Sequence, residues 1–152
     1  MKNFLADTGY LIALYDPSDD PLQIEKAKRS FRSLFEREGN RLIVMWPVLY
    51  ETLNTRLTKR IDLVEEIDSE WAKLEARGRL QYVDDQPFRE RSLLEWRNEL
   101  RRGGHYRPLS LVDRVLRQAI LSTLKLNAVL TFNRGDFEDV CKTKRIAIIP
   151  EF

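Results

Sequence analysis

A chain of 152 residues, 43% hydrophobic and 33% charged, has the length and balance of one globular domain around a single core, which excludes a disordered or fibrous protein. The formal net charge of +2 dictates no partner, and the lone Cys141 excludes an internal disulfide and a thiolate zinc cage. Met1 to Phe4 runs straight into an apolar stretch and no apolar run approaches bilayer length, so a cytoplasmic protein with no secretory signal and no membrane contact is expected.

Phe4 to Ala6 reads as a buried strand ending at Asp7-Thr8-Gly9, a turn into a short helix. Pro17 to Pro21 is a loop. From Leu22 the residues Ile24, Ala27, Phe31, Leu34 and Phe35 keep helical spacing until Gly39-Asn40 stops them. "RLIVMW" is a second buried strand, and Pro47 suits the first turn of a helix, where its missing N–H costs nothing. That helix carries Leu49, Thr52, Leu53 and Leu57; the next starts near Asp62, carries Val64, Ile67, Trp71 and Leu74, and stops at Gly78. "LQYVD" is a short strand, residues 87 to 102 an arginine-rich helix ending at Gly103-Gly104, and "LSLVDRVLRQAI" a further helix. "NAVLTF" and "RIAIIP" are two apolar runs of strand length. Strands apolar on both faces and alternating with helices require a parallel sheet covered on both sides, so the expected fold is an α/β sandwich of four or five strands in one domain, residues 1 to 152.

Residues 62 to 85 hold eight acids against three bases, whereas residues 86 to 117 hold eight arginines against four acids. The second segment has the charge suited to a phosphate-rich partner, although arginines on solvated helix faces are equally compatible with it. Arg101, Arg102, Tyr106 and Arg107 flank the loop "RGGHYR" and could touch single-stranded nucleic acid by phosphate pairing and stacking. His105 is the only histidine, which disfavours a serine or cysteine triad, and no phosphate-binding glycine fingerprint follows a strand.

Ligands of open parallel sheets bind beyond the carboxyl ends of the strands. Asp7 ends the first strand, Glu51 lies one turn into the helix after the second, Asp113 is in the first turn of the helix before the fourth, and Asp136 follows that strand. Taken singly, each can be a cap or turn residue, and Ser110 with Asp113 has the spacing of a capping box. Asp113 nevertheless interrupts the stripe formed by Val112, Val115, Leu116, Ala119 and Ile120. Four acids converging on one edge without basic partners repel one another and require a counter-charge. With neither thiolates nor a histidine pair, oxygen-only ligation suits Mg²⁺ or Mn²⁺. Asp16, Asp84, Asp85 and Asp139 are read as surface charges.

"DTGYLIAL", "VLYETLN", "SLVDRVL" and "LTFNRGDF", in this order, resemble the PIN-domain family, most closely its VapC-like toxin ribonucleases, over nearly the whole chain. The resemblance implies a three-layer α/β/α fold and a Mg²⁺- or Mn²⁺-dependent endoribonuclease site formed by Asp7, Glu51, Asp113 and Asp136. It also implies supporting roles for Thr8, Ser110, Thr131 and Asn133, the last matching the asparagine of a T-x-N-x-x-D/E-F variant. Members with an aspartate at the position of Asn133 carry the fourth acid there, so either Asp136 or Asn133 could face the metal. Such proteins are commonly homodimers that act on RNA and are neutralised by a small antitoxin. Two other functions remain open: a non-catalytic RNA-binding module of the same fold, and a Mg²⁺-dependent phosphohydrolase of a small molecule.

Overall fold

The apolar N-terminal run becomes the centre of the sheet because only a central strand buries both of its faces. The structure, a computed structural model, describes residues 1–151; Phe152, the last residue of the expected domain, lies outside the described residues. β1 (Lys2–Ala6), β2 (Asn40–Met45), β3 (Leu80–Val83), β4 (Ala128–Leu130) and β5 (Ala147–Ile149) form one five-stranded parallel sheet in the order β3-β2-β1-β4-β5. Leu5 pairs with Ile43 on one side and Val129 on the other, and all three are fully buried.

The chain leaves β1 toward β2 and β3, then returns to place β4 on the opposite side of β1. With right-handed crossovers, this reversal puts α1 (Thr8–Tyr15), α2 (Pro21–Phe35), α3 (Trp46–Thr52), α4 (Thr55–Thr58) and α5 (Ile61–Ala76) on one face. α6 (Gln86–Arg102), α7 (Leu111–Leu121) and α8 (Arg134–Lys144) cover the other. The packing agrees: α1 lies against α2 and α3, α4 against α5, and α7 between α6 and α8. The result is the expected three-layer α/β/α sandwich.

Four local expectations change. The helix entered at Pro47 stops at Thr52, because the Asn54 side chain accepts from Leu57 N–H at 3.2 Å and caps a separate turn, α4. On α5 the core residue is Leu63, with Val64 only half-buried, a one-residue shift of the apolar face. Asn40 opens β2 and does not stop the preceding helix, which ends at Phe35. The run after "NAVLTF" holds the whole helix α8, signalled by Phe137, Val140 and Cys141 at helical spacing and all buried.

Asp16 and Asp85 are also not surface charges: they are 8% and 7% exposed. Asp16 accepts from Ser18 and pairs with Arg56, while Asp85 receives both Nε and Nη2 of Arg89. These partners hold both carboxyls below the usual carboxylate range.

Candidate functional site

The strand order reverses between β1 and β4, so the crevice suited to a ligand opens at their carboxyl ends. Asp7 sits there as the first residue beyond β1, and its backbone N–H still donates to Leu130 O of β4 at 2.9 Å. Its side chain caps α1. One oxygen accepts from Thr8 N–H at 2.7 Å and the other from the Thr131 hydroxyl at 2.8 Å. Thr131 Oγ1 in turn accepts from Asn133 N–H at 3.0 Å, so the chain leaving β4 is fixed to the carboxylate leaving β1. Asp7 is 3% exposed. Burial is the main force pushing its carboxyl up to about 6; the bonds from Thr131 and Thr8 oppose the rise, and the charges of Asp113 and Glu51 add to it.

Glu51 reaches the same edge from α3. It is the penultimate residue of that short helix, exposed, and its Oε1 accepts from the Thr8 hydroxyl at 2.7 Å. Thr8 thus donates its backbone N–H to Asp7 and its hydroxyl to Glu51, tying the acid that follows β1 to the acid on α3 through one residue. Asn54 Nδ2 donates to Glu51 O at 2.9 Å, so the break between α3 and α4 also holds the backbone of Glu51.

Asp113 is the third residue of α7, and Ser110 Oγ accepts from its N–H at 3.0 Å as the helix cap. Burial raises the Asp113 carboxyl, as do the charges of Asp136 and Glu51, while the Ser110 hydroxyl and N–H hold it down. The capping-box and acidic-edge readings of Asp113 are therefore both present in one side chain. Asp136 stands in the first turn of α8, its N–H donating to Asn133 O at 3.0 Å. Asn133 is exposed at the start of that helix and its side chain makes no cap bond.

The topology thus brings Asp113 within electrostatic reach of Asp7, Glu51 and Asp136, and Glu51 within reach of Asp7. Among the described residues none of the four carboxylates forms an ion pair. Nor do any three His, Cys, Asp or Glu side chains among the described residues form a ready-made metal cage. A Mg²⁺-like ion needs no such cage, since it retains several waters and takes one or two carboxylates directly. The oxygen-only donors and their uncompensated charge fit that type of ion.

The arginines of residues 86 to 117 divide into two groups. Arg91, Arg97, Arg101 and Arg102 are exposed and in no ion pair among the described residues. Arg89, Arg107, Arg114 and Arg117 are committed to internal carboxylates. Arg114, fully buried on α7, reaches Glu99 of α6 at 2.6 Å and Glu95 at 3.6 Å, donates to Arg107 O, and lies 5.9 Å from the centre of the Tyr106 ring. Tyr106 is held from the other side by Trp96 Nε1, which donates to its hydroxyl at 3.0 Å. Arg107 donates to Gly135 O at 3.0 Å and meets Asp139 at 3.3 Å. Removing Glu99 takes the nearer carboxylate from the buried Arg114 and leaves Glu95 at 3.6 Å, so Glu99→Ala is expected to lower unfolding free energy by about 2 kcal/mol. Arg97→Ala should stay within about 0.5 kcal/mol in the same urea titration.

Sequence reasoning assigned no role to Arg117 and left Asp139 on the surface. Arg117 is 8% exposed and grips Asp139 with two nitrogens at 2.6 and 2.8 Å. The available signal was the pair Arg114 and Arg117 flanking Val115 and Leu116 on the buried stretch of the helix, since guanidiniums there require carboxylate partners.

Sheet order and layers together match a VapC-like PIN fold. One solved structure with this fold is VapC20 of Mycobacterium tuberculosis, a toxin that cleaves the sarcin–ricin loop. It superposes with a TM-score of 0.61 at 20% sequence identity, over 90% of this chain and 93% of that one. No family model and no curated protein matches the chain. No helix among the described residues is long and apolar enough to cross a membrane.

Proposed function

We propose that this chain is a Mg²⁺- or Mn²⁺-dependent endoribonuclease, a single domain over residues 1 to 152 that acts in the cytoplasm as the toxin of a toxin–antitoxin pair. The observation that carries the reading is the approach of Asp113 to Asp7, Glu51 and Asp136 beside the β1–β4 switch point, with none of the four in an ion pair among the described residues. The likeness in fold to a toxin that cleaves the sarcin–ricin loop supports the choice of RNA. Asp7 and Asp113 would hold the ion, with Glu51 and Asp136 beside them. When bound, the ion would orient an attacking water, make it more acidic than bulk water, and screen the charge that builds on the leaving oxygen.

The chain's own residues do the rest. Thr131 and Thr8 fix both oxygens of Asp7, so that the carboxylate need not reorganise when substrate arrives. Thr8 keeps Glu51 turned toward the same edge, and the Ser110 cap aims Asp113. Arg101 and Arg102, in the last turn of α6, and Tyr106 and Arg107, on the loop leading into α7, supply charge and a ring for the RNA backbone and bases. Arg107 does so from a guanidinium already engaged by Gly135 and Asp139.

The test is cleavage of structured and unstructured RNAs with Mn²⁺ or with chelator. Cleavage only with the ion supports the reading. RNA binding without turnover leaves a non-catalytic module, and hydrolysis of small phosphoesters alone makes the protein a phosphohydrolase. Replacing Arg101 and Arg102 together with alanine should raise the RNA concentration giving half-maximal rate and reduce the slope of log affinity against log salt by about 2, because fewer counterions are released. An unchanged slope would return both arginines to the solvated face of α6.

The same reading includes a homodimer and a small antitoxin that covers the acidic edge. Trp46, Tyr50 and Tyr82 support the dimer: Trp46 lies 6.0 Å from Tyr50 and 5.6 Å from Tyr82 between ring centres, and Trp46 and Tyr50 are exposed. Sedimentation of the parent and of Tyr50→Ala checks it: a dimer that dissociates in the variant is the expected result.

A further inference from the structure

We propose that Arg117 and Asp139 are positioning residues for the Asp113 and Asp136 carboxylates, acting as a strut that fixes the first turn of α8 against α7. The inference rests on the nuclease reading above for its function and on geometry for its existence.

Arg117 lies one helical turn after Asp113, so both project from neighbouring positions on one face of α7. Its Nη1 donates to Asp136 O at 2.8 Å and to Asp139 Oδ1 at 2.6 Å, and its Nη2 donates to Asp139 Oδ2 at 2.8 Å. A second arginine, Arg107, approaches the same turn from the loop before α7, reaching Gly135 O and Asp139 Oδ2. Two guanidiniums therefore hold the carbonyls of residues 135 and 136 and the carboxylate one turn on.

Such a fastening has work to do because Asp113 and Asp136 repel each other across the gap between α7 and α8. Without it, the first turn of α8 is held on the site side by the Thr131 to Asn133 bond and the buried Phe137 ring, and the repulsion would bear on its polar face. Asp139 has a second effect. By occupying two nitrogens of Arg117, it keeps the guanidinium from turning onto the carboxylates of Asp113 or Asp136, where it would replace the cation. The strut therefore fixes the spacing of the acids without neutralising them. A planar fork is needed for this, since an ammonium cannot hold a carbonyl and both carboxylate oxygens together.

The experiment uses the full chain, with Arg117→Lys and Asp139→Asn each compared with the parent. Three readouts are taken: amide exchange in the first turn of α8, Mn²⁺ binding by calorimetry, and RNA cleavage resolved into kcat and KM. Asp139 is half-exposed, so its variant should keep the fold even if the change at Arg117 does not. The expected result is exchange at Asp136 and Phe137 at least tenfold faster in both variants, with Mn²⁺ bound tenfold or more weakly. In addition, kcat should fall at least tenfold while KM for RNA stays within twofold. A helix needed only for stability would leave Mn²⁺ affinity and kcat of the folded fraction unchanged, and that outcome overturns the proposal. Unchanged exchange in both variants overturns it as well, whatever the activity. A parent that neither binds Mn²⁺ nor cleaves RNA, but whose variants exchange faster, overturns the nuclease reading and with it the positioning role, leaving a strut of no functional consequence.

Discussion

Replacing Asp7 with asparagine is expected to lower metal-dependent RNA cleavage by about three orders of magnitude, the rate equivalent of the several kcal/mol that a well-placed ion contributes. The change removes one charge and almost no volume. Asparagine is as good a helix cap as aspartate, so α1 should still start at Thr8 and accept the same N–H bond. Asp113→Asn should have an effect of the same order, because Ser110 continues to cap α7 by itself. The measurement is single-turnover cleavage at saturating Mn²⁺, with circular dichroism showing that helix content is unchanged. Parent-like rates in both variants would end the metal-site reading. Losses confined to Glu51→Gln or Asp136→Asn would move the ligands to the other pair of acids.

The second large effect is on stability, and it has an unusual sign for a substitution at a buried polar residue. The Asp7 carboxyl is pushed up to about 6 from an ordinary 3.8, mainly by burial. The folded state therefore binds more protons than the unfolded state between those two values, and stability must fall as pH rises through that window. Below it, the carboxyl is protonated in both states and the penalty is absent. Above it, the penalty is complete, at about 3 kcal/mol. Asparagine carries no such penalty but loses the acceptor for the Thr131 hydroxyl, a cost of about 1 kcal/mol. In chelator at pH 7.5, Asp7→Asn should thus be about 2 kcal/mol more stable than the parent, and the thermal midpoint should rise by about 4–8 °C. The advantage should shrink as pH falls from 6 and vanish or reverse below 4. Asp113→Asn should shift in the same direction by less, since that carboxyl is only partly buried. Adding Mg²⁺ or Mn²⁺ should raise the parent's midpoint more than either variant's. A variant that melts below the parent in chelator at pH 7.5, with no response of the parent to the ion, would make Asp7 and Asp113 simple helix caps.

Much of this edge could be read before any coordinates, because Asp7 and Asp113 break apolar patterns that strands and helices make plain. The continuous runs around Leu5, Ile43 and Val129 identified a sheet buried on both faces, and from that followed the carboxyl-end placement of the acids. Where the reading failed, a polar residue with a partner far away in sequence was responsible. Asp16 and Asp139 looked like lone solvated charges because their partners Arg56 and Arg117 stand 40 and 22 residues away, and Asp139 does stay exposed; Asp85 is the exception, its partner Arg89 lying only 4 residues on. The break at Leu53 was missed because Leu49, Thr52, Leu53 and Leu57 keep a helical period through it, while Asn54 caps a new turn by a side-chain bond that periodicity does not register. Helix α8 was overlooked for the opposite reason. Its apolar residues are few, and most of its face is charged, so the acid in its first turn drew attention away from Phe137, Val140 and Cys141 behind it.

The order of the strands also sets when the acidic edge can come into being. β1, β2 and β3 can pair as they leave the ribosome, each new strand adding to the outside of the last. β4 cannot: its place is beside β1, and the bond from Thr131 to Asp7 closes a separation of 124 residues. Closing so long a loop is a late event in folding, because its entropy must be spent before the contact repays it. Until then Asp7 faces solvent on an unpaired sheet edge, with an ordinary acidity and no neighbour at Asp113. A nascent chain therefore carries an open strand edge at β1 but no assembled acidic crevice, and the crevice forms only as the final third of the molecule docks.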